Sequence, residues 1–334
     1  MSHADTGGAG DTAFTCGAVR VHVTNDEAEM GRRTAAAIAA DLQERAASGP
    51  TVLWLMAAPS AFAFYRALIR LAEQDEPLRA VLRATHFFQF DDYPIARGGP
   101  RFPATFRHLL ENYFYEPLSA VCGRLPHVHA LELTGGAGDE DIQRRYRDDL
   151  LALRAKGAAL IELKGTGMDG HWGFHGAETP LDMEPDMISV PMNGQNMRQQ
   201  MLDWPHLFPT IDQVPTRAIT FNVPMFLLAD RIYDNTPQAQ KEYAVLAAFG
   251  TDAVLNEVPS SALKQHGRAE ALVTRQAARA LLEFRAGRAR DPEYRLSPAT
   301  HARLAALWRD ERLPQMAREN AAIMDGVLCK LGML

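Results

Sequence analysis

Asp169 and His171 stand two residues apart inside Gly165-Thr166-Gly167-Met168-Asp169-Gly170-His171-Trp172-Gly173-Phe174, a glycine-rich run that follows the apolar stretch Ala158 to Leu163. An apolar run that breaks into glycines reads as a strand ending in a tight turn, and open α/β sheets bind ligands at that edge. The glycines, Gly167 and Gly170 among them, let the backbone take positive φ or come close to a ligand. The aspartate can orient the histidine, whose ordinary pKa of about 6.5 suits proton transfer at neutral pH. A second strand end carries carboxylates as well. The aromatic run His86-Phe87-Phe88-Gln89-Phe90 ends in Asp91-Asp92-Tyr93-Pro94, where the proline stops the strand. Each feature alone has an ordinary use as a turn former or cap. Together they make a candidate acid/base site.

The elements that must position these residues alternate between strand-like and helix-like, the pattern of βαβ units and a mainly parallel sheet. Strands are expected at Val19 to Val23, Thr51 to Met56, Thr85 to Phe90, Ala158 to Leu163, Ala218 to Asn222, Asp230 to Tyr233 and Ala269 to Val273. Helices are expected from Asn25 or Asp26 to Ala47, Ser60 to Gln74, Phe106 to Tyr115, Asp139 to Lys156, Gln238 to Phe249 and Arg275 to Ala286. A last helix is expected over Pro298 to Leu334, broken near Leu313-Pro314. Trp172 to Val214, rich in Met, Pro, Asn and Gln, reads as a long irregular segment, and such loops are often lids. No repeat or linker divides the chain, which reads as a flexible head over 1–15, one α/β domain over 16–288 and a helical extension over 289–334.

Composition narrows the partners. With 334 residues and 47% hydrophobic content the chain can bury a substantial core, and a formal net charge of −6 with no basic run argues against nucleic acid. Three widely spaced cysteines, Cys16, Cys122 and Cys329, read as free thiols of a reducing compartment. The polar head lacks the features of a signal peptide and no apolar stretch has the length of a membrane span, so a cytoplasmic protein acting on a small molecule is expected, without membrane contact. His127 and His129 lie two apart with no third ligand nearby, which reads as structural rather than a metal site.

Phe88-Gln89-Phe90-Asp91-Asp92-Tyr93 resembles the Phe-x-x-Asp-Glu-Tyr strand end of glucosamine-6-phosphate deaminases, and the Gly165 to Phe174 run resembles their Gly-x-Gly-x-Asp-Gly-His-x-x-Phe turn. Asp212-Gln213-Val214-Pro215-Thr216-Arg217-Ala218-Ile219-Thr220 is similar to their Gln-Val-Pro-x-x-Ala-Leu-Thr segment, and Gln240-Lys241 opens a helix as theirs does. The resemblance runs in order from about residue 20 to 285. It implies a doubly wound α/β fold shared with 6-phosphogluconolactonases, aldose–ketose isomerisation with loss of ammonia, no cofactor, a sugar-phosphate substrate and a homo-oligomer as one possible assembly. By position, Asp91 would take the C2 proton of the open-chain amino sugar and His171 would open the ring, with Asp169 holding its tautomer. Asp92 would serve nearby backbone amides, and Tyr93 would pack.

Departures from the family pattern bear on the substrate. The family turn continues Phe-Asn-Glu, with the glutamate tuning the histidine, whereas this chain reads Phe174-His175-Gly176. Three alternatives follow: Glu178 reaches back, His175 takes over part of the role, or ring opening is not needed. After the Thr51 strand the family's Thr-Gly-Gly-Thr-Pro phosphate loop is replaced by Ala57-Ala58-Pro59-Ser60-Ala61, in which Pro59 removes an amide donor and Ser60 remains as a helix cap with its hydroxyl toward the ligand. Lys241 and Arg198 fall where phosphate contacts are expected. Three readings stay open: an amino-sugar-phosphate deaminase; a lactonase or an isomerase of another, unphosphorylated sugar; and a sugar-binding regulator without chemistry.

Overall fold

The computed structural model describes residues 12–287. Its first half contains β1 (Thr12–Cys16), β2 (Val19–Thr24), α1 (Glu27–Ala46), β3 (Thr51–Leu55), α2 (Phe62–Gln74), α3 (Glu76–Ala84), β4 (His86–Gln89), β5 (Asp91–Asp92), α4 (Phe106–Leu110), α5 (Glu116–Cys122), β6 (Val128–His129) and α6 (Asp139–Ala155). Its second half contains β7 (Ala159–Lys164), β8 (Met187–Pro191), α7 (Gly194–Asp203), β9 (Arg217–Phe221), α8 (Val223–Phe226), β10 (Arg231–Thr236), α9 (Glu242–Phe249), β11 (Ala269–Thr274) and α10 (Arg279–Arg285).

Among the described residues eight strands form one sheet in the order β1-β2-β11-β10-β7-β3-β4-β6, antiparallel only between β1 and β2. The central strands are buried on both faces, as β3 shows with all five residues inside, so they read as unbroken apolar runs rather than alternating ones. Chain order explains where a ligand can bind. From β3 the chain moves outward through β4 to β6, returns to β7 beside β3, then moves outward the other way through β10 to β11. The direction reverses between β3 and β7, which pair from Thr51↔Ala159 to Leu55↔Leu163. Outside the carboxyl ends of two strands at such a reversal their loops diverge and leave a crevice.

A second, smaller sheet, β5-β9-β8, lies beyond the end of β4. Phe90 makes the transition: its amide still bonds Leu55 O of the main sheet at 3.3 Å, while its carbonyl accepts from Phe221 N at 3.0 Å. Asp91 then pairs with Thr220 and Asp92 with Ile219. Asp91 therefore stands at the point where one strand leaves one sheet and enters another.

The structure corrects several expectations. Residues 172–214 are not irregular throughout: β8 forms because it finds an antiparallel partner in β9, and α7 forms behind it. α3 was not anticipated, although Asp75 caps it by accepting from Leu78 N at 3.0 Å. β1 begins at Thr12, inside the stretch expected to be a flexible head. The expected helix over Phe106 to Tyr115 is α4 followed by a wider π-turn at Glu111–Tyr115 that runs into α5. The rest of the head, the extension over 289–334 and Cys329 lie outside the described residues. Cys16 and Cys122 are free and buried. His86, His127 and His129 stack at the β4–β6 edge, with His129 also stacked on Phe88 at 4.0 Å. Among the described residues no helix is long and apolar enough to cross a membrane.

Candidate active site

A cleft open to solvent lies at the β3–β7 reversal. Its walls come from separate strand ends: Met56 to Ser60 after β3, Phe90 and Asp91 after β4, Gly165, Gly167, His171, Gly173 and Phe174 after β7, and Lys241 after β10. Phe106 from α4, Gln199 and Gln200 from α7 and Trp204 beyond it complete the lining.

Asp91 is 4% exposed, and among the described residues its Oδ1 accepts no hydrogen bond. Burial, reinforced by the charge of Asp92 beside it, pushes the Asp91 carboxyl well above the usual range. Asp92 has a different environment. It accepts from Tyr93 N at 2.7 Å and from Phe106 N, Arg107 N and Gln89 Nε2 at 2.9 Å each. Burial lifts its carboxyl to about 6, and those bonds work against the rise. Asp92 thus ties the first turn of α4 to the strand end and fixes the backbone that presents Asp91.

Across the cleft, Asp169 Oδ1 lies 2.5 Å from His171 Nδ1 and also accepts from His171 N at 3.2 Å, while Asn193 Nδ2 reaches Oδ2 at 3.4 Å. Burial works to raise the Asp169 carboxyl, but the neighbouring imidazole and these bonds prevail and hold it below its ordinary value. An ionised Asp169 accepts the proton on Nδ1 in a hydrogen bond and leaves Nε2 for a ligand. The ring lies flat on Gly167: a Cβ there would sit 2.2 Å from Nε2 and 2.3 Å from Nδ1. Gly170 turns the chain at φ +84° and faces Val258 rather than the cleft, with space for a Cβ closed off at 2.6 Å.

Ser60 and Lys241 meet in the cleft wall, where Lys241 Nζ donates to Ser60 Oγ at 3.3 Å and Ser60 Oγ donates to Gln238 Oε1 at 3.0 Å. Ser60 does not cap α2; its hydroxyl is engaged with these neighbours instead. Arg198 is buried on α7 close enough to Asp169 to feel its charge, which opposes the burial that lowers the guanidinium to about 10. It is not among the cleft-lining residues.

Two expected substrate contacts are placed elsewhere. His175 is fully buried, its Nδ1 accepting from Val223 N at 3.1 Å and its Nε2 donating to Thr179 O at 3.0 Å. With both nitrogens engaged and burial pushing its pKa down to about 4, the ring is a neutral pin between two loops. Glu178 is exposed and reaches back over Gly176, where a Cβ would lie 2.8 Å from Oε2. It fills the space of a residue-176 side chain but does not line the cleft. Sequence reasoning missed Gln199, Gln200 and Trp204 because they sit in the segment read as irregular. The available signal was Asn193, which caps α7 by accepting from Asn196 N at 2.8 Å. Gln199 also accepts from Met168 N at 3.0 Å, so α7 is clipped onto the Asp169–His171 turn.

The mainly parallel sheet with its reversal between β3 and β7 defines a doubly wound α/β fold. No family model matches the chain. It is 26% identical over 251 residues to a glucosamine-6-phosphate deaminase of Bacillus velezensis, covering 75% of this chain and 95% of that one. It is 24% identical to that of Bacillus pumilus, with 75% and 95% covered. A monomeric glucosamine-6-phosphate deaminase superposes with a TM-score of 0.62 at 24% identity over 78% of this chain and 98% of that one. A putative 6-phosphogluconolactonase of Neisseria gonorrhoeae gives 0.54 at 14% identity over 76% and 98%. The chain is thus similar over about three quarters of its length, at low identity, to proteins named glucosamine-6-phosphate deaminase.

Proposed function

We propose that the chain is an amino-sugar-phosphate deaminase that converts glucosamine 6-phosphate, or a close relative, to the ketose phosphate with release of ammonia. The observation that carries this is the placement of Asp91 and the Asp169–His171 pair around one cleft at the β3–β7 reversal. His171 Nε2 takes the proton of the C1 hydroxyl and returns one to the ring oxygen, opening the pyranose to the aldehyde, while Asp169 holds the tautomer. Asp91, once ionised, takes the C2 proton; the C–H pair forms C1=C2 while the C1=O π pair moves to O1, which takes a proton from solvent, giving the enolamine. Protonation at C1 leaves an iminium at C2, to which water adds and from which ammonia departs. A carboxyl whose pKa is lifted by burial is a stronger base when ionised, which suits abstraction of a weakly acidic C–H. Lys241 and Ser60 hold the far end of the substrate as the charged and hydroxyl donors there.

The test is ammonia release from glucosamine 6-phosphate beside galactosamine 6-phosphate and free glucosamine, with Asp91→Asn as the blank. Release from a phosphorylated sugar that vanishes in the variant is the expected result; silence on all three sugars overturns the proposal. The loop Ala57-Ala58-Pro59, with one amide removed, favours a second reading in which the sugar carries no phosphate. Release from free glucosamine alone would select it.

A further inference from the structure

Behind the His171 turn lies a polar network absent from the reading of the sequence. β7 carries Glu162 and Lys164 on one face, and Lys164 pairs in register with Asp234 of β10. Lys164 and Asp234 are both fully buried, with Nζ 2.8 Å from Oδ2. A buried ion pair is weak evidence for stability, because desolvation offsets most of the attraction and apolar residues of similar volume often serve as well. This pair is nonetheless fully engaged. Asp234 accepts from Thr166 Oγ1 and Thr236 Oγ1 at 2.8 Å each, and Lys164 donates to Ser260 Oγ at 3.1 Å while lying 4.5 Å above the Trp172 ring.

Ser260 connects the network to the turn. Its amide donates to Gly170 O at 2.8 Å and its hydroxyl donates to His171 O at 2.9 Å. Because Lys164 can only donate, its bond to Oγ commits the Ser260 proton to the His171 carbonyl. Thr166 N is held by Thr236 Oγ1 at 3.0 Å and Trp172 Nε1 by Glu162 Oε1 at 2.8 Å, so the turn is attached at both ends and under its middle. The His171 ring has no slack, since it rests on Gly167 and meets Asp169 at 2.5 Å.

We infer that Lys164, Asp234 and Ser260 are positioning residues: a buried relay from Asp234 through Lys164 and Ser260 to the His171 carbonyl sets the backbone of the turn and, through it, the place of the imidazole. This rests on the proposed acid/base role of His171. Its test pairs Ser260→Ala with the double variant Lys164→Met/Asp234→Leu in the full chain, each followed by thermal unfolding, by kcat and KM for ammonia release, and by the NMR signal of the His171 Nδ1 proton shared with Asp169. Both variants are expected to stay folded, to shift or broaden that proton signal, and to lower kcat about 10- to 100-fold with KM changed less than threefold, the order expected for a misplacement near 1 Å. If the double variant does not fold, Ser260→Ala alone decides. A folded Ser260→Ala protein with an unchanged His171 signal overturns the relay. The NMR signal needs no substrate, so a shifted signal in a protein that releases no ammonia from any amino sugar upholds the relay and sinks the deaminase reading instead.

Discussion

Asp91 and Asp169 stand beyond the ends of β4 and β7 and are almost equally buried, at 4% and 7% exposure, yet the affinities of their carboxyls for a proton move in opposite directions. Burial pushes both upward. Asp91 adds a like charge at Asp92 and has an oxygen with no partner among the described residues. Asp169 adds an imidazole at 2.5 Å and bonds from His171 N and Asn193, and these outweigh its burial. Depth in the protein therefore does not assign the role of a carboxylate; its immediate partners do. Under the proposed deaminase reading, two carboxyls held apart in this way would divide the work, one accepting a proton from carbon and the other staying ionised behind a histidine.

The largest expected effect separates the two roles. Asp91→Asn should lower turnover by about 10²- to 10⁴-fold, the usual worth of a general base, and abolish exchange of the substrate C2 proton with deuterated solvent. Asp169→Asn should slow turnover while leaving that exchange measurable, because Asp91 still meets whatever open-chain sugar is present. Equal loss of exchange in both variants would erase the distinction.

The same contrast between burial and partnership extends to stability through His175. Its ring is buried with two neutral bonds and no counter-charge, and its folded pKa of about 4 lies below the ordinary value of about 6.5. Between those values the unfolded chain binds the proton and the folded chain does not, so stability present above pH 6.5 is lost as pH falls toward 4. The loss due to this residue is about 3 kcal/mol. Urea unfolding at pH 7 and pH 4, compared with His175→Gln, measures it. An identical pH slope in the variant would show that the loss arises elsewhere.

The smallest effect sharpens the Asp169 side. Gly167→Ala puts a methyl where the His171 ring lies, so the ring must swing off and lose Asp169. Activity should fall about a hundredfold, roughly 2.7 kcal/mol, while circular dichroism stays native. Full activity would mean that the seat on Gly167 does not hold the ring.

Much of the site was legible because its chemistry is local in sequence. The Gly165 to Phe174 turn carries both members of the Asp169–His171 pair within three residues, and the apolar run before it announces a strand end. Asp91 was visible for the same reason, closing an aromatic run. His175 reads as a candidate contact because it stands beside Gly176, where the family pattern has a glutamate, but a strand-like bridge between Trp172 and His175 turns it inward under Val223. α7 was hidden by its composition: Asn and Gln weaken the apolar periodicity that marks a helix, so the cleft wall of Gln199, Gln200 and Trp204 had no pattern to show.

By itself, the sequence determined the alternation of strands and helices, the mainly parallel sheet, and the residue types at the ends of β4 and β7, since apolar runs, glycines and carboxylates are properties of neighbouring residues. Only the tertiary structure decided that β3 and β7 lie side by side, that Asp91 leaves the main sheet to pair with Thr220, and that Lys164 and Asp234, 70 positions apart, meet beneath the turn. Those outcomes depend on pairing between distant strands, where the burial of both faces of a central strand, rather than any local propensity, sets neighbour and register.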